Sequence, residues 1–397
     1  MSAESAVFAR LAAGLDGDVH RDLLHRRLVA QDASPYRRLP AALVEPRDEC
    51  DCERLVTLAA ELGLALIARG GGTSLAGQCV GDGVVVDTAR HMNRVLAIDA
   101  AAGTARVEPG VTAGQLNAAA AGHGLALGPD PSTANRATIG GMLGNNAWGP
   151  HAPADGSMRD QVLGLRAVLA DGIAREIGAG GLLDAADRAR RGALARLVDH
   201  HAAALRERVP GADSGLCSNT GYPLHDLLAD RPWVDDGASF NEARLFAGAE
   251  GTLGLVTEVT LRLRPLRSER QLLCPHFDDL RSALRAVRPA LDAGACAVEL
   301  VDDRILALTR GHPEQAANRF WLRGEPRAVL IVEFADGAAP GDLPRRLRAA
   351  GAGAIPAVEG AGVERVWSLR RAGLGLLMGQ RGARRPVSGF EDTAVPL

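Results

Sequence analysis

The chain has 397 residues, of which 47% are hydrophobic and 23% charged, with a formal net charge of −3. That length can bury a large core and points to two domains, and the slightly acidic balance offers no electrostatic footprint for nucleic acid. No apolar run reaches the roughly 18 residues that a membrane-spanning helix needs, and the N-terminus, with Glu4 and Asp16, does not read as a secretory signal.

The chain contains no lysine, so all its formal positive charge is arginine. The six cysteines (Cys50, Cys52, Cys79, Cys217, Cys274, Cys296) contain no C-x-x-C pair. Cys50-x-Cys52 is too tight for a zinc knuckle, and nothing clusters as iron–sulfur ligation requires. Scattered reduced thiols of a cytoplasmic protein are the expectation, with no metal site. The ten histidines, among them His123, His151, His225 and His276, show no pairing that marks a base, and surface or loop positions are expected for them.

Residues 1–40 read as a helical lead-in. Ala3 to Leu15 has helical apolar spacing, and His20 to Val29 reads as a second polar helix or turn, broken at Ser34-Pro35-Tyr36. Leu43-Val44-Glu45 predicts a short strand. Asp48 then caps a helix to Leu62, Leu64 to Ala68 forms the next strand, and Val84 to Asp87 another. The β-α-β unit carries Arg69-Gly70-Gly71-Gly72-Thr73-Ser74-Leu75-Ala76-Gly77-Gln78 at the carboxyl end of a strand, where α/β sheets bind ligands. Three bare glycines let phosphate oxygens approach backbone N–H groups, with hydroxyls from Thr73 and Ser74 and charge from Arg69. Alone, the stretch also reads as a plain glycine-rich turn. It is not a P-loop, because Gln78 and Cys79 stand where Lys and Ser/Thr are required, and Leu75 breaks G-x-G-x-x-G.

Arg94 to Asp99 and Thr104 to Glu108 predict paired strands, ended at Pro109-Gly110. Thr112 caps a helix through Ala121. The passage Gly128 to Gly149 then begins with two prolines, places Thr138 as an N-cap and offers Gly140 and Gly141 for close backbone approach. Its length and apolar content favour ligand binding over a surface loop. Asp160 to Leu169 reads as a strand, Leu182 to Arg208 as a charged helical insertion, Ser214 to Phe240 as irregular and Arg244 to Ala247 as a strand. Glu250-Gly251-Thr252-Leu253-Gly254-Leu255-Val256 turns into a strand with Val259, Leu261 and Leu263 on one face and Thr260, Arg262 and Arg264 on the other. Beyond residue 268, strands (Gln271 to Cys274, Ala297 to Val301, Ala328 to Phe334) alternate with helices (Leu280 to Leu291, Leu343 to Ala350, Glu364 to Leu369) as in a small α+β domain.

Three stretches taken together, Arg69 to Gln78, Thr138 to Asn146 and Glu250 to Val256, resemble the flavoprotein family of vanillyl-alcohol oxidase and para-cresol methylhydroxylase. Within it the chain is similar to the D-lactate, glycolate and D-2-hydroxyglutarate dehydrogenase branch, over about residues 40 to 397. The resemblance implies an α+β fold: a PCMH-type FAD-binding domain of two α/β subdomains (41–268, helical insertion about 180–243) and an incomplete ferredoxin-like α+β cap domain (269–397) over the flavin ring. It implies that Arg69, Gly70, Gly71, Gly72, Thr73, Ser74, Gly77 and Gln78 hold the FAD pyrophosphate and that Pro109 and Gly110 flank the adenine side. Asp130, Pro131, Ser132, Thr133, Gly140, Gly141, Asn145 and Gly149 would line pyrophosphate and isoalloxazine, and Glu250, Gly251 and Val256 would contact adenine and ribose. Asp155-Gly156-Ser157-Met158 is similar to the family's Y-G-S-M segment with aspartate in place of tyrosine; Ser157 is the cofactor residue it implies.

Members with covalent flavin use a histidine or cysteine in the first two motifs. Thr73 follows the glycines here and no cysteine lies in 128–149, so noncovalent FAD is expected. Val366-Trp367-Ser368-Leu369-Arg370-Arg371 resembles a W-x-L-R segment whose arginine, Arg370 here, binds a substrate carboxylate; Arg384 and Arg385 are alternatives. The implied reaction oxidises a D-2-hydroxy acid to the 2-oxo acid, with electrons passed to a quinone, cytochrome, flavoprotein or iron–sulfur partner, in the cytoplasm or peripherally at the inner membrane. The histidine-bearing segment that supplies the family's base or metal ligands is not found before Leu397, so the catalytic base is unassigned and a fragment or one part of a split enzyme is expected. A flavin-binding subunit that needs a partner chain, or a non-oxidative member like the ether-lipid synthase branch, are the other functional classes.

Overall fold

A computed structural model describes residues 3–178, 185–208, 221–230, 241–338, 340–380 and 382 of the chain. They form an N-terminal unit, 3–147 with Ser157–Pro265, and a C-terminal unit, Trp148–Gly156 with 266–382.

The N-terminal unit has two sheets. In the first, Val84–Asp87 lies between Ala42–Glu45 and Leu66–Arg69, parallel to both. Its three valines are buried, as a strand covered on both faces requires. Helix Glu49–Leu62 makes the crossover. Asp48 caps it by accepting from Asp51 N–H, Gly63 ends it in the left-handed region, and Cys52, Leu55 and Ala59 face the core. The buried Asp51 carboxylate collects the backbone N–H groups of Asp16, Gly17 and Arg47 at 2.7–2.9 Å, fastening the lead-in to the helix. The expected helix from His20 is corrected. Asp18–His20 is an edge strand antiparallel to Ala42–Glu45, and the helix covers only Leu23–Leu28 because Asp22 takes its N-cap.

The second sheet is antiparallel, in the order Val95–Asp99, Thr104–Val107, Leu255–Arg262, Val162–Val168, Ala174–Gly178. Its central strand Leu255–Arg262 alternates as its sequence predicts, with Leu255, Thr257, Val259 and Leu261 buried. Three expectations fail here. Asp160 lies in a short helix, Met158–Gln161, because Ser157 and Asp160 form a reciprocal cap, and the strand begins at Val162. Residues Glu242–Phe246 are a 3-10 helix, not a strand: Asn241 accepts from Ala243 N–H and donates to the carbonyls of Val162 and Leu163. Helix Leu224–Asp230 falls inside the stretch read as irregular and packs Leu227 against Val198 of helix Ala185–His200.

In the C-terminal unit, strand Ala328–Phe334 pairs with His276–Phe277, Gln271–Leu273 and Ala297–Asp302, and all seven of its residues are buried. Its two faces serve two layers. Leu330, Val332 and Phe334 pack on helices Leu280–Asp292 and Leu343–Ala349. Val329 and Ile331 pack among residues of helices Asp303–Arg310 and Ala361–Arg371. Glu333 shares that second face. Among the described residues no helix is long and apolar enough to cross a membrane.

Candidate functional site

Within the N-terminal unit, segments far apart in sequence meet at the glycine loop. A Cβ on Gly70 would stand 2.5 Å from Thr138 Oγ1 and 3.0 Å from Gly141 Cα, and one on Gly71 would stand 2.2 Å from the Arg136 carbonyl oxygen. Only glycine permits that approach. Thr138 caps helix Ile139–Gly144, as predicted, by accepting from Gly141 N–H. Gly140 donates to the Pro109 carbonyl at 2.8 Å and has no room for a side chain against that proline. Gly110 donates to Met92 O at 2.8 Å. Gln78 donates to Asn145 Oδ1 at 3.2 Å, and Glu250 N–H to Gly144 O at 2.9 Å. Gly251, at φ +79°, lies against Ala68 at the end of the strand that carries the loop.

The donors of this cradle are available. Among the described residues, the backbone N–H groups of Gly70 to Ser74 and the Thr73 and Ser74 hydroxyls meet no acceptor. Gln78 Oε1 is buried without a partner. A bare backbone lined with free N–H groups suits an anion, and a buried acceptor calls for a donor from a ligand. FAD offers both, a pyrophosphate and ribityl hydroxyls, so the residues fit the group. Arg69 lies against the loop from its inner side. Its guanidinium lies under Gly72 and donates to the carbonyls of Gln31 (3.1 Å) and Val29 (3.5 Å), so its charge acts from beneath the loop.

Asp130, Pro131, Ser132 and Thr133 lie in the loop that leads to the Thr138 N-cap, with Pro131 and Thr133 carbonyls accepting from Ala134, Arg136 and Ala137. Val256 pairs with Ala167 in the second sheet. Ser157 is committed to its capping box with Asp160 at 2.8 Å. Gly149 belongs to the C-terminal unit, where its carbonyl accepts from Ala152. Arg384 and Arg385 lie outside the described residues.

In the C-terminal unit, Arg370 stands in the last turn of helix Ala361–Arg371, and its Nε donates to Glu299 Oε2 at 2.5 Å. One turn earlier, Trp367 Nε1 donates to Glu333 Oε2 at 2.6 Å. Glu333 is fully buried and also takes a two-point bond from Arg270 at 2.8 and 2.9 Å, with His151 Nε2 at 3.2 Å. Burial pushes its carboxyl up, but His151 and Arg270 outweigh that and hold it at about 2. Asp155, the residue in the tyrosine position, makes a buried two-point pair with Arg267 at 2.7 and 2.9 Å.

The expectation of surface or loop histidines is corrected at His276, which lies in a strand; His151 stands in a turn, as expected, but is buried. His151 and His276 are 6% and 5% exposed. His276 is spoken for at both nitrogens, Nδ1 against Cys274 O and Nε2 accepting from Arg323 N–H, and burial lowers its proton affinity. The Glu333 network was missed in the sequence. Its signal was a lone glutamate in an otherwise apolar strand, which cannot be buried unpaired.

The family model for an FAD binding domain matches residues 40–178, and that for the C-terminal domain of FAD linked oxidases matches 266–397. The chain is 34% identical to a D-2-hydroxyglutarate dehydrogenase of Pantoea ananatis (strain AJ13355), across 97% of this chain and 40% of that one. It is 29% identical to a glycolate oxidase subunit of Bacillus subtilis (strain 168), across 78% of this chain and 54% of that one. It thus spans about two fifths of the length of the D-2-hydroxyglutarate dehydrogenase it matches. An alkyldihydroxyacetonephosphate synthase structure superposes with a TM-score of 0.67 at 18% identity, covering 94% of this chain and 64% of that one, which shows a shared fold. With the glycine cradle, both domain models and these relatives in agreement, the chain belongs to the FAD-linked oxidases of the vanillyl-alcohol oxidase and para-cresol methylhydroxylase type.

Proposed function

We propose that the chain carries the flavin-binding and substrate-carboxylate parts of an FAD-dependent 2-hydroxy-acid dehydrogenase, acting on a D-2-hydroxy acid of the lactate, glycolate or 2-hydroxyglutarate class. The observation that carries this reading is the meeting of Gly70, Gly71, Gly140, Gly141, Asn145 and Glu250 around unused backbone donors. FAD held there would supply the two-electron chemistry, accepting the substrate's C2 hydrogen as hydride. The chain's own part is to hold and orient. Backbone N–H groups of Gly70 to Ser74 bind the pyrophosphate, and the Gln78 carbonyl, lacking a protein donor, takes one from the cofactor. Thr73 leaves the flavin noncovalently held.

Arg370 binds the substrate carboxylate. Glu299 grips its Nε at 2.5 Å, which leaves the terminal guanidinium nitrogens to form a fork. Arg384 and Arg385 are the alternative carboxylate ligands. The hydroxyl proton leaves to a base, and the electrons pass to a non-nicotinamide acceptor such as a quinone, cytochrome, flavoprotein or iron–sulfur protein, reached in the cytoplasm or at the inner membrane. A second reading, a flavin-binding chain that turns over only with a partner, is favoured by one observation: Glu299, the acid at Arg370, is itself engaged in the ion pair.

Anaerobic addition of D- and L-2-hydroxyglutarate and D- and L-lactate to the FAD-loaded chain tests the proposal. Bleaching of the flavin band by one D acid and not its L form is the expected result. Bleaching that appears only with a partner chain selects the second reading. Failure of every hydroxy acid, with and without partner, overturns both and leaves non-oxidative flavin chemistry.

A further inference from the structure

We propose that His20, Asp22 and His25 bind a divalent transition-metal ion that clips the edge strand of the first sheet to the helix after it. The three residues come from the end of strand Asp18–His20, the N-cap of helix Leu23–Leu28 and that helix's first turn. One ligand atom from each lies within 4.8 Å of the others. The two imidazoles stack with centroids 3.9 Å apart and planes 9° from parallel. Two imidazoles and one carboxylate make the nitrogen-rich donor set that suits zinc and its first-row neighbours, with a position left for water.

Binding turns one imidazole out of the stack, because a metal lies in the plane of each ring that holds it and two rings 9° from parallel cannot both point at one ion. Asp22 Oδ2 lies 2.7 Å from His25 Nδ1, the distance of a shared proton. Two donors on one tetrahedral zinc stand about 3.3 Å apart, so a cation that replaces that proton parts them by roughly half an ångström. Glu45 Oε2, 3.0 Å from His20 Nε2, orients the second imidazole as outer carboxylates do around metal-bound histidines.

Two other groups compete less well. At His151, Cys296 and Glu333 both carboxylate oxygens are already taken by Arg270. At Asp18, His20 and Glu45 the Arg90 guanidinium stands between the acids, 3.1 Å from Glu45 and 3.6 Å from Asp18, where a cation would go.

The clip has a consequence for the loop. Helix Leu23–Leu28 runs directly into Val29 and Gln31, the residues whose carbonyls hold Arg69 beneath Gly72. Fixing the helix start fixes that support, independently of which reaction the flavin performs.

Equilibrium dialysis of the full chain against zinc chloride, with metal analysis, tests the site alongside thermal unfolding with and without zinc. One tightly held zinc per chain is expected. It should be lost in His25→Ala and in His20→Gln and kept in Cys50→Ser, which removes an exposed competing thiol. Zinc should raise the Tm of the wild type and not of His25→Ala. Both histidine variants are compared with the wild type by zinc-free Tm, so that a folding defect is not read as lost binding. No stoichiometric zinc, zinc that persists in both histidine variants, or zinc lost only in Cys50→Ser overturns the proposal.

Discussion

Glu333 illustrates how one buried charge organises its neighbours. Its carboxylate ties strand Ala328–Phe334 to Arg270, to Trp367 and to His151, residues drawn from three separate parts of the chain. Its proton affinity falls from an ordinary 4.5 to about 2 in the folded state. A lowered value adds stability that is complete above about pH 4.5 and drains away as the pH falls toward 2, worth about 3 kcal/mol. Glu333→Gln should therefore cost roughly 3 kcal/mol at pH 6, with the half-buried Arg270 left without its carboxylate partner, and the gap to wild type should close as the pH drops. Urea unfolding of both proteins from pH 6 to pH 3 checks this; a gap that stays constant contradicts it. Arg370 makes a contrasting case, half-exposed and held at one nitrogen. Arg370→Lys keeps the charge and loses the planar fork. KM for the hydroxy acid should rise about tenfold while FAD retention is unchanged.

At the scale of elements, caps and turns explain both what was legible and what was not. Asp48, Thr112 and Thr138 were readable as N-caps because a short polar acceptor before an apolar run has one efficient use. Thr138→Ala should cost about 1 kcal/mol in thermal unfolding and weaken FAD binding as well, since the same helix carries Gly140 and Gly141. Strand Asp18–His20 was illegible: three residues with one apolar side chain carry no alternation, and only pairing to Ala42–Glu45 makes them a strand. Segment Glu242–Phe246 failed for another reason. A run that short fits strand or helix equally, and the Asn241 cap decides. The glycine motifs announced a ligand but not one another. That Gly70 meets Gly141, and Gly251 meets Ala68, is set by the packing of two sheets and cannot be read from spacing. The Arg370–Glu299 pair is equally long-range, although Arg370 itself was legible by resemblance.

At the scale of the whole molecule, each unit carries a different share of the chemistry. The N-terminal unit holds the glycine cradle, and the C-terminal unit holds the Arg370–Glu299 pair and the Glu333 network. Flavin that is bound noncovalently should leave a trichloroacetic-acid precipitate colourless, with the yellow in the supernatant; a yellow pellet contradicts the Thr73 reading. The central claim is that three distant motifs build one FAD site, and it rests on contacts only glycine allows. A valine at position 71 would press against the Arg136 carbonyl, where even a Cβ has only 2.2 Å. The most direct test is the visible spectrum of the purified chain and of Gly71→Val, each loaded with FAD and freed of excess by gel filtration. The account predicts one FAD per wild-type chain and at least tenfold weaker retention in a folded Gly71→Val, a cost of about 1.4 kcal/mol or more. Wild type that folds but elutes without flavin, or Gly71→Val that holds FAD as tightly, would contradict it.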